Sequence, residues 1–182
     1  MSDEWENAKL HLGCGSHHLD GWVNADGLAG SPAVDRQLDI LEPWPIPRPG
    51  VLARIYWSHG PEHIPPDLLT GVLVRCREAL KPGGCLTVAT IDLVGIFRHR
   101  FEQHDNGAAW NAALYGECGS QDHPFLAHRQ CFTTETLTAQ LLAAGFPVVR
   151  PWCTEQYPEI HALNDYARSC ALVTCYAEGV VR

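Results

Sequence analysis

Residues 9–26 read KLHLGCGSHHLDGWVNAD, and the way this stretch is punctuated decides the fold. Lys9–Leu12 is a strand-like run that stops at Gly13-Cys14-Gly15, and Trp22–Ala25 is a second run that stops at Asp26. Downstream the pattern continues. Val34–Leu38 gives a weaker third strand ended by Asp39-Ile40, and EPWPIPRPG (42–50) is loop, because each proline fixes φ and removes a backbone donor. Arg54–Ser58 is a fourth strand.

The clearest helix is Asp67–Leu80, with Asp67 as N-cap after Pro65-Pro66. Leu68, Leu69, Val72, Leu73, Cys76 and Leu80 fall on one face at helical spacing. Lys81-Pro82-Gly83-Gly84 reads as a turn that no regular element crosses. Cys85–Thr90 is nearly all apolar, as a strand covered on both faces should be. Residues 94–131 lose any clear period and read as a lid-like insertion. A second helix follows at Thr134–Ala144, capped by Thr133 or Thr134 and ended by Gly145. Phe146–Arg150 and Ala171–Ala177 supply the last strands, the final one antiparallel.

Strands alternating with helical stretches predict a single α/β domain over residues 1–182, a Rossmann-like, mostly parallel sheet with helices on its faces. The connections at 13–21 and 27–33 are shorter than the dozen or so residues a crossover helix takes, so the early crossover helices should be short or missing. That leaves an apolar sheet face to be buried by a homodimer contact, by the N-terminal residues or by the lid.

Composition excludes several classes. The formal net charge is −8, with 13 Lys and Arg against 21 acids, so no nucleic-acid partner is expected. No apolar run reaches the roughly 20 residues a membrane helix needs, and the acidic start MSDEWENAKLHLGCG lacks a signal peptide's apolar stretch. A cytoplasmic protein is expected. The eight cysteines contain no CxxC pair, and several sit in apolar runs, so they read as buried thiols and no metal site is expected.

LHLGCG (10–15), GWVNAD (21–26), LDI (38–40), HGPEHIP (59–65), LKPGG (80–84) and TIDL (90–93) occur in that order. Together they resemble a class I S-adenosylmethionine-dependent methyltransferase, in particular the small type-11-like group; QCFTTETLTAQLLAAGF (130–146) is similar to that group's late helix and strand. The resemblance implies S-adenosylmethionine as cofactor, held by Leu12, Gly13, Cys14, Gly15, Asp26, Asp39, Ile40 and Ser58. Chemistry agrees with these positions. Glycines after the first strand let backbone approach the cofactor where a Cβ would collide. A carboxylate after the second strand, Asp26, can accept from both ribose hydroxyls. Asp39 could accept from the adenine amine or merely cap a turn.

Methyl transfer needs an aligned nucleophile and, where the acceptor is protonated, a base. His59, directly after the fourth strand, is the first candidate, with Glu62 and His63 supporting it or bracing the loop. Asp92 after the fifth strand and His128 before the late helix are further candidates, and His99, His104 and His123 lie in the insertion. The expected reaction is methyl transfer to an oxygen or nitrogen of a small metabolite or glycan precursor. Two alternatives remain at this point: a catalytically silent cofactor-binding domain, and a nicotinamide-dependent oxidoreductase. The missing third glycine disfavours the second.

Overall fold

The computed structural model describes residues 4–27, 30–46, 48–102, 114–115, 127–163 and 174–182. Much of the 94–131 insertion, with His104 and His123, lies outside the described residues, as do residues 171–173. Seven strands form one sheet: β1 (Lys9–Leu12), β2 (Val23–Asp26), β3 (Arg36–Gln37), β4 (Leu52–Ser58), β5 (Leu80–Ile91), β6 (Val148–Arg150) and β7 (Thr174–Val180). Their spatial order is β3-β2-β1-β4-β5-β7-β6. β1 to β5 run parallel, while β7 is antiparallel to both β5 and β6. The mostly parallel α/β sheet and its antiparallel last strand are as expected. The insertion of β7 between β5 and β6 is a departure from the all-parallel 3-2-1-4-5-6 order of dinucleotide dehydrogenases, which counts against the oxidoreductase alternative.

Alternation along the strands separates two layers. Leu10, Leu12, Ile55, Trp57, Leu86, Val88, Cys175 and Ala177 face one side, where α1 (Pro66–Ala79) and a later helix cover them through Leu69, Val72, Leu73, Cys76, Leu137 and Leu141. That later helix, Thr134–Ala143, is preceded along the chain by α2 (Leu93–Glu102) and is therefore α3. Trp5 from the N-terminus joins the same core.

Several boundaries differ from the sequence expectation for identifiable reasons. α1 starts at Pro66, not at a capping Asp67: Pro66 has the fixed φ that suits a first helical residue, and Asp67 sits in the first turn, where the helix dipole favours an acid. α3 is capped as expected, by a box in which Thr133 Oγ1 accepts from Thr136 N–H at 3.3 Å and Thr136 Oγ1 from Thr133 N–H at 2.8 Å. LKPGG, expected to be a turn that no regular element crosses, instead begins β5. Leu80 pairs with Leu52 and Cys85 with Arg54, so the surplus residues bulge out at Pro82-Gly83, with Gly83 at φ +78°. α2 begins where periodicity was lost. β7 starts at Thr174 and runs on past Ala177, where the expected strand ends, through Glu178 and Gly179. Both have a reason to be there. Glu178 is buried and bonded to Arg150 Nε at 2.6 Å and to the Tyr157 hydroxyl, and a Cβ on Gly179 would lie 2.6 Å from the Phe146 ring.

Among the described residues no helix joins β1 to β2 or β2 to β3, as the short connections require, nor β3 to β4, where the proline-rich stretch lies. The second sheet face is covered instead by a segment the sequence reading left without an element: a 3-10 turn at Thr154–Gln156 and α4 (Pro158–Leu163). Trp152, Tyr157 and Ile160 pack with Leu19, Trp22, Tyr56 and Ala89. Trp152 Nε1 donates to Val88 O at 2.8 Å and Ala177 O at 3.1 Å, tying the cover to two strands. The face therefore has an intramolecular cover.

On β2, Asn24 performs locally what a crossover helix would. Fully buried, its side chain accepts from Leu19 N–H at 2.8 Å and donates to Leu19 O, Trp22 O and Asp35 Oδ2. Its backbone N–H also donates to Asp35 Oδ2 at 2.9 Å, and these bonds hold the Asp35 carboxyl below its ordinary range. His11 Nδ1 lies 3.1 Å from Asn24 Oδ1, and its ring stacks on Tyr56.

If Trp152 is the keystone of this cover, Trp152→Ala should cost about 3–5 kcal/mol, while Trp152→Phe should recover part of that loss. Urea unfolding checks this; an Ala variant within 1 kcal/mol of wild type (a loss typical of exposed positions, roughly) would mean that other residues carry the face.

Candidate functional site

The carboxyl ends of β1, β2, β4 and β5 lie side by side, and the candidate residues gather on that edge. At the end of β1 the chain turns through Gly13 (φ +65°) and Gly15 (φ +55°), left-handed conformations that favour glycine. Gly15 N–H donates to Asp26 Oδ2 at 2.8 Å, so the turn and the end of β2 are locked together. A Cβ on Gly15 would meet nothing within 4 Å. Leu12 is buried in the core beneath, and Cys14 is buried with its N–H on Ala25 O at 3.1 Å. Burial, and then the charge of Asp26, pushes the Cys14 thiol up to about 12, so it stays protonated and is no nucleophile at neutral pH.

The next strand end is adjacent: Leu38 N–H donates to Asp26 O at 2.8 Å, and Gly27 lies against the Asp39 backbone. Asp39 is exposed and its Oδ1 accepts from Leu41 N–H at 2.9 Å, the turn-capping role. Ile40 is half-buried against the core, and its carbonyl accepts from Arg75 at 2.6 Å. Ser58 ends β4 opposite Ala89, and its buried Oγ has no hydrogen-bond partner among the described residues.

His59 has φ +47°, a strained conformation for a side-chain-bearing residue. Three contacts hold it there. Its N–H donates to Ala89 O at 2.8 Å, its Nδ1 lies 2.9 Å from Glu62 Oε1, and its Nε2 lies 3.1 Å from Thr174 Oγ1. Glu62 has no exposed surface, and its Oε2 accepts from Thr90 Oγ1 at 2.7 Å. Burial drives the Glu62 carboxyl upward, but the hydrogen bond and charge of His59, the charge of His63 and the Thr90 hydroxyl outweigh it and leave the carboxyl below its ordinary range. The Glu62 backbone carbonyl also accepts from Arg129 N–H at 2.6 Å, and Gln130 Nε2 donates to Ile64 O at 2.9 Å, so residues 129–130 return onto this loop.

Of the remaining candidates, His63 and His128 come together, with ring centroids 5.0 Å apart. The sequence offers the two histidines as separate candidates, 65 residues apart. The return of 127–131 onto the Glu62 loop brings them together. Asp92 stands apart as the cap of α2: its Oδ1 accepts from Val94 N–H at 3.1 Å and its carbonyl from Ile96 N–H at 2.8 Å. Thr90 and Thr174 were not singled out. Thr90 was within reach as part of TIDL, but nothing near Thr174 signals a contact 115 positions away.

No protein-family model matches the chain, and no curated protein matches it in sequence. Solved structures do. An S-adenosylmethionine-dependent methyltransferase from Archaeoglobus fulgidus superposes with a TM-score of 0.59 at 15% identity, over 97% of this chain and 87% of that one. DhpI, solved with SAH, gives 0.58 at 18% identity over 96% and 78%. The putative methyltransferase in complex with the Haloferax volcanii Trm112 activator gives 0.56 at 12% over 100% and 85%. The fold is that of the S-adenosylmethionine-dependent methyltransferases. Within this methyltransferase fold, the strand edge carrying Gly13, Asp26, Ser58 and His59 is the face where open α/β sheets take their ligands.

Glycine is also required at position 60 for a local reason: a Cβ there would lie 1.9 Å from Trp57 Nε1. Gly60→Ala should force the Trp57 indole out of its position and so disturb the Gly13 turn, where a Cβ on Gly13 would lie 3.6 Å from the same ring. A shifted tryptophan emission maximum and a lower melting temperature check this, and an unchanged spectrum would show that the loop absorbs the methyl.

Glu62→Gln should cost about 3–5 kcal/mol in urea unfolding, because it strands His59 and Thr90 around a neutral amide. The pH sense follows from the lowered carboxyl. Glu62 contributes stability above its unfolded value near 4.5, and that contribution is lost as pH falls through the lower folded value. The Gln variant should lack this acid-side loss, and an identical acid limb in both proteins would contradict it.

Proposed function

We propose that this chain transfers the methyl group of S-adenosylmethionine to an oxygen or nitrogen of a small molecule, a metabolite or glycan precursor. The observation that carries the reading is the β1 turn: two left-handed glycines, with open space above Gly15 and its N–H on the Asp26 carboxylate. These residues fit the cofactor. Gly13 and Gly15 give backbone that can approach the methionine part, over a floor of Leu12 and Cys14. Asp26 receives the ribose hydroxyls, Asp39 and Ile40 border the adenine, and the Ser58 hydroxyl, buried and without a partner among the described residues, is one that a bound polar group would satisfy. When bound, S-adenosylmethionine supplies a methyl group on a cationic sulfur for direct displacement by the acceptor.

The chain's part in that displacement is alignment and proton removal. His59 Nδ1 stands 2.9 Å from Glu62 Oε1, and this pairing fixes the ring and leaves Nε2 as its basic nitrogen. Nε2 now faces Thr174 Oγ1 and takes the acceptor's proton once an acceptor hydroxyl or amine replaces that contact. Asp92, engaged at the α2 cap, positions that helix. Residues 94–131 form the lid that shapes the acceptor pocket, within a single domain.

Calorimetry with S-adenosylhomocysteine tests the cofactor assignment. Asp26→Ala should weaken binding by about 2–4 kcal/mol, and Gly15→Val should abolish it. Gly21→Val is the matched control, since Gly21 has φ +75° and equally open surroundings but lies away from the strand ends. Full affinity in folded Asp26 and Gly15 variants would overturn the assignment.

His59→Gln should lower turnover by about 10²–10⁴-fold with cofactor affinity unchanged. A second reading, a cofactor-binding domain without transfer activity, is favoured by one observation: both His59 ring nitrogens already have partners within the protein. Release of S-adenosylhomocysteine in the presence of hydroxyl or amine acceptors decides between the two. If the wild type binds cofactor but releases none with any acceptor, the silent reading holds.

A further inference from the structure

Beside His59, Glu62 also belongs to a second constellation, whose two histidines the transfer chemistry does not use. Glu62, His63 and His128 each offer a ligand atom, and the three atoms lie within 4.8 Å of one another. Glu62 is buried, and the two histidines are half-buried on its outer side. Two imidazoles and one carboxylate are the donor set of catalytic zinc and of related first-row divalent ions, which keep a further position open. Donors of a four-coordinate ion with bonds near 2.1 Å stand about 3.4 Å apart, so closing by roughly an ångström completes the set.

Three features support a built site. Glu62 Oε1 stands 2.9 Å from His59 Nδ1 and its Oε2 accepts from Thr90 Oγ1 at 2.7 Å, and each oxygen keeps a lone pair for a cation. The His63 Nδ1 lies 3.3 Å from Ala127 O; donation to a backbone carbonyl on one ring nitrogen is the usual companion of metal ligation on the other. The ligands come from two distant stretches that are already hydrogen-bonded together, through Glu62 O with Arg129 N–H and Gln130 with Pro61 O and Ile64 O.

We propose that Glu62, His63 and His128 bind one divalent transition-metal ion of the zinc class. The ion would sit beside the exit of β4, where Glu62 also contacts His59. A hydroxyl or carboxylate oxygen of the acceptor is then its natural fourth ligand. That last role rests on the methyltransferase reading; ion binding does not.

The test uses the full, tag-free chain stripped with EDTA and dialysed against Zn(II), then against Co(II) as a spectroscopic substitute. One ion per chain is expected, with cobalt d–d bands in the visible and no thiolate charge-transfer band in the near ultraviolet. His63→Gln and His128→Gln should each weaken Zn(II) binding by about 100-fold or more, with an unchanged circular dichroism spectrum, whereas His18→Gln, at an exposed histidine elsewhere, should not. No bound ion, a thiolate-type cobalt spectrum, or retention of the ion in the His63→Gln/His128→Gln double variant would each overturn the site. S-adenosylhomocysteine calorimetry on the same samples keeps the two readings apart. Zn(II) bound without cofactor affinity removes the methyltransferase reading alone, and cofactor affinity without Zn(II) removes the metal site alone.

Discussion

Glu62 is a carboxylate with no exposed surface, and the organisation of the strand edge depends on keeping it ionised. An unpaired buried charge would cost several kcal/mol, so its environment must supply donors from every side. His59 comes from the exit of β4, Thr90 from the end of β5, and Thr174 from the start of β7 by way of His59. Its own backbone carbonyl collects Arg129 and Gln130. One charge therefore fixes three strand ends and the return of a distant segment. It also explains why His59 tolerates a left-handed backbone: two ring contacts and one backbone bond over-determine it.

The other half of the edge is held differently. No crossover helix follows β1 or β2 among the described residues, yet the turn at Gly13–Gly15 must stay in place without one. Asn24 and Asp35 anchor the 19–22 loop through hydrogen bonds, and Asp26 anchors the glycine turn. Trp152, Tyr157 and α4 then cover the bare face. Two losses, the α-helical cover and its hydrogen bonds, are thus made good by separate devices: aromatic area for burial, and one amide side chain for backbone satisfaction.

This division sets what could be read from the sequence. The cofactor half is local, since Gly13, Gly15, Asp26 and Asp39 lie within a few dozen residues, and strand punctuation exposes them directly. Asp39's turn-capping geometry matches one of the two roles its position allowed. The cover by Trp152–Leu163 was not legible, because a 3-10 turn and a six-residue helix carry no periodicity. Glu178 and Gly179 extend β7 beyond the expected end at Ala177, since the partner that neutralises one and the ring that fills the space beside the other come from elsewhere in the chain.

The acceptor half was legible only in part for the same reason. HGPEHIP announces His59, Glu62 and His63 as a group, but not which neighbours they take. Those neighbours are Thr90, His128, Gln130 and Thr174, supplied by the end of β5, the last residues of the insertion and the start of β7. A side chain such as Asp92 follows a strand end as a reacting group would, and still spends its carboxylate on the first turn of α2. Position at a strand end therefore nominates a residue, while the hydrogen bonds already made decide what remains for a ligand. By that criterion Ser58 Oγ and the open space above Gly15 point to the cofactor, and the Glu62–His63–His128 cluster points to a cation next to it.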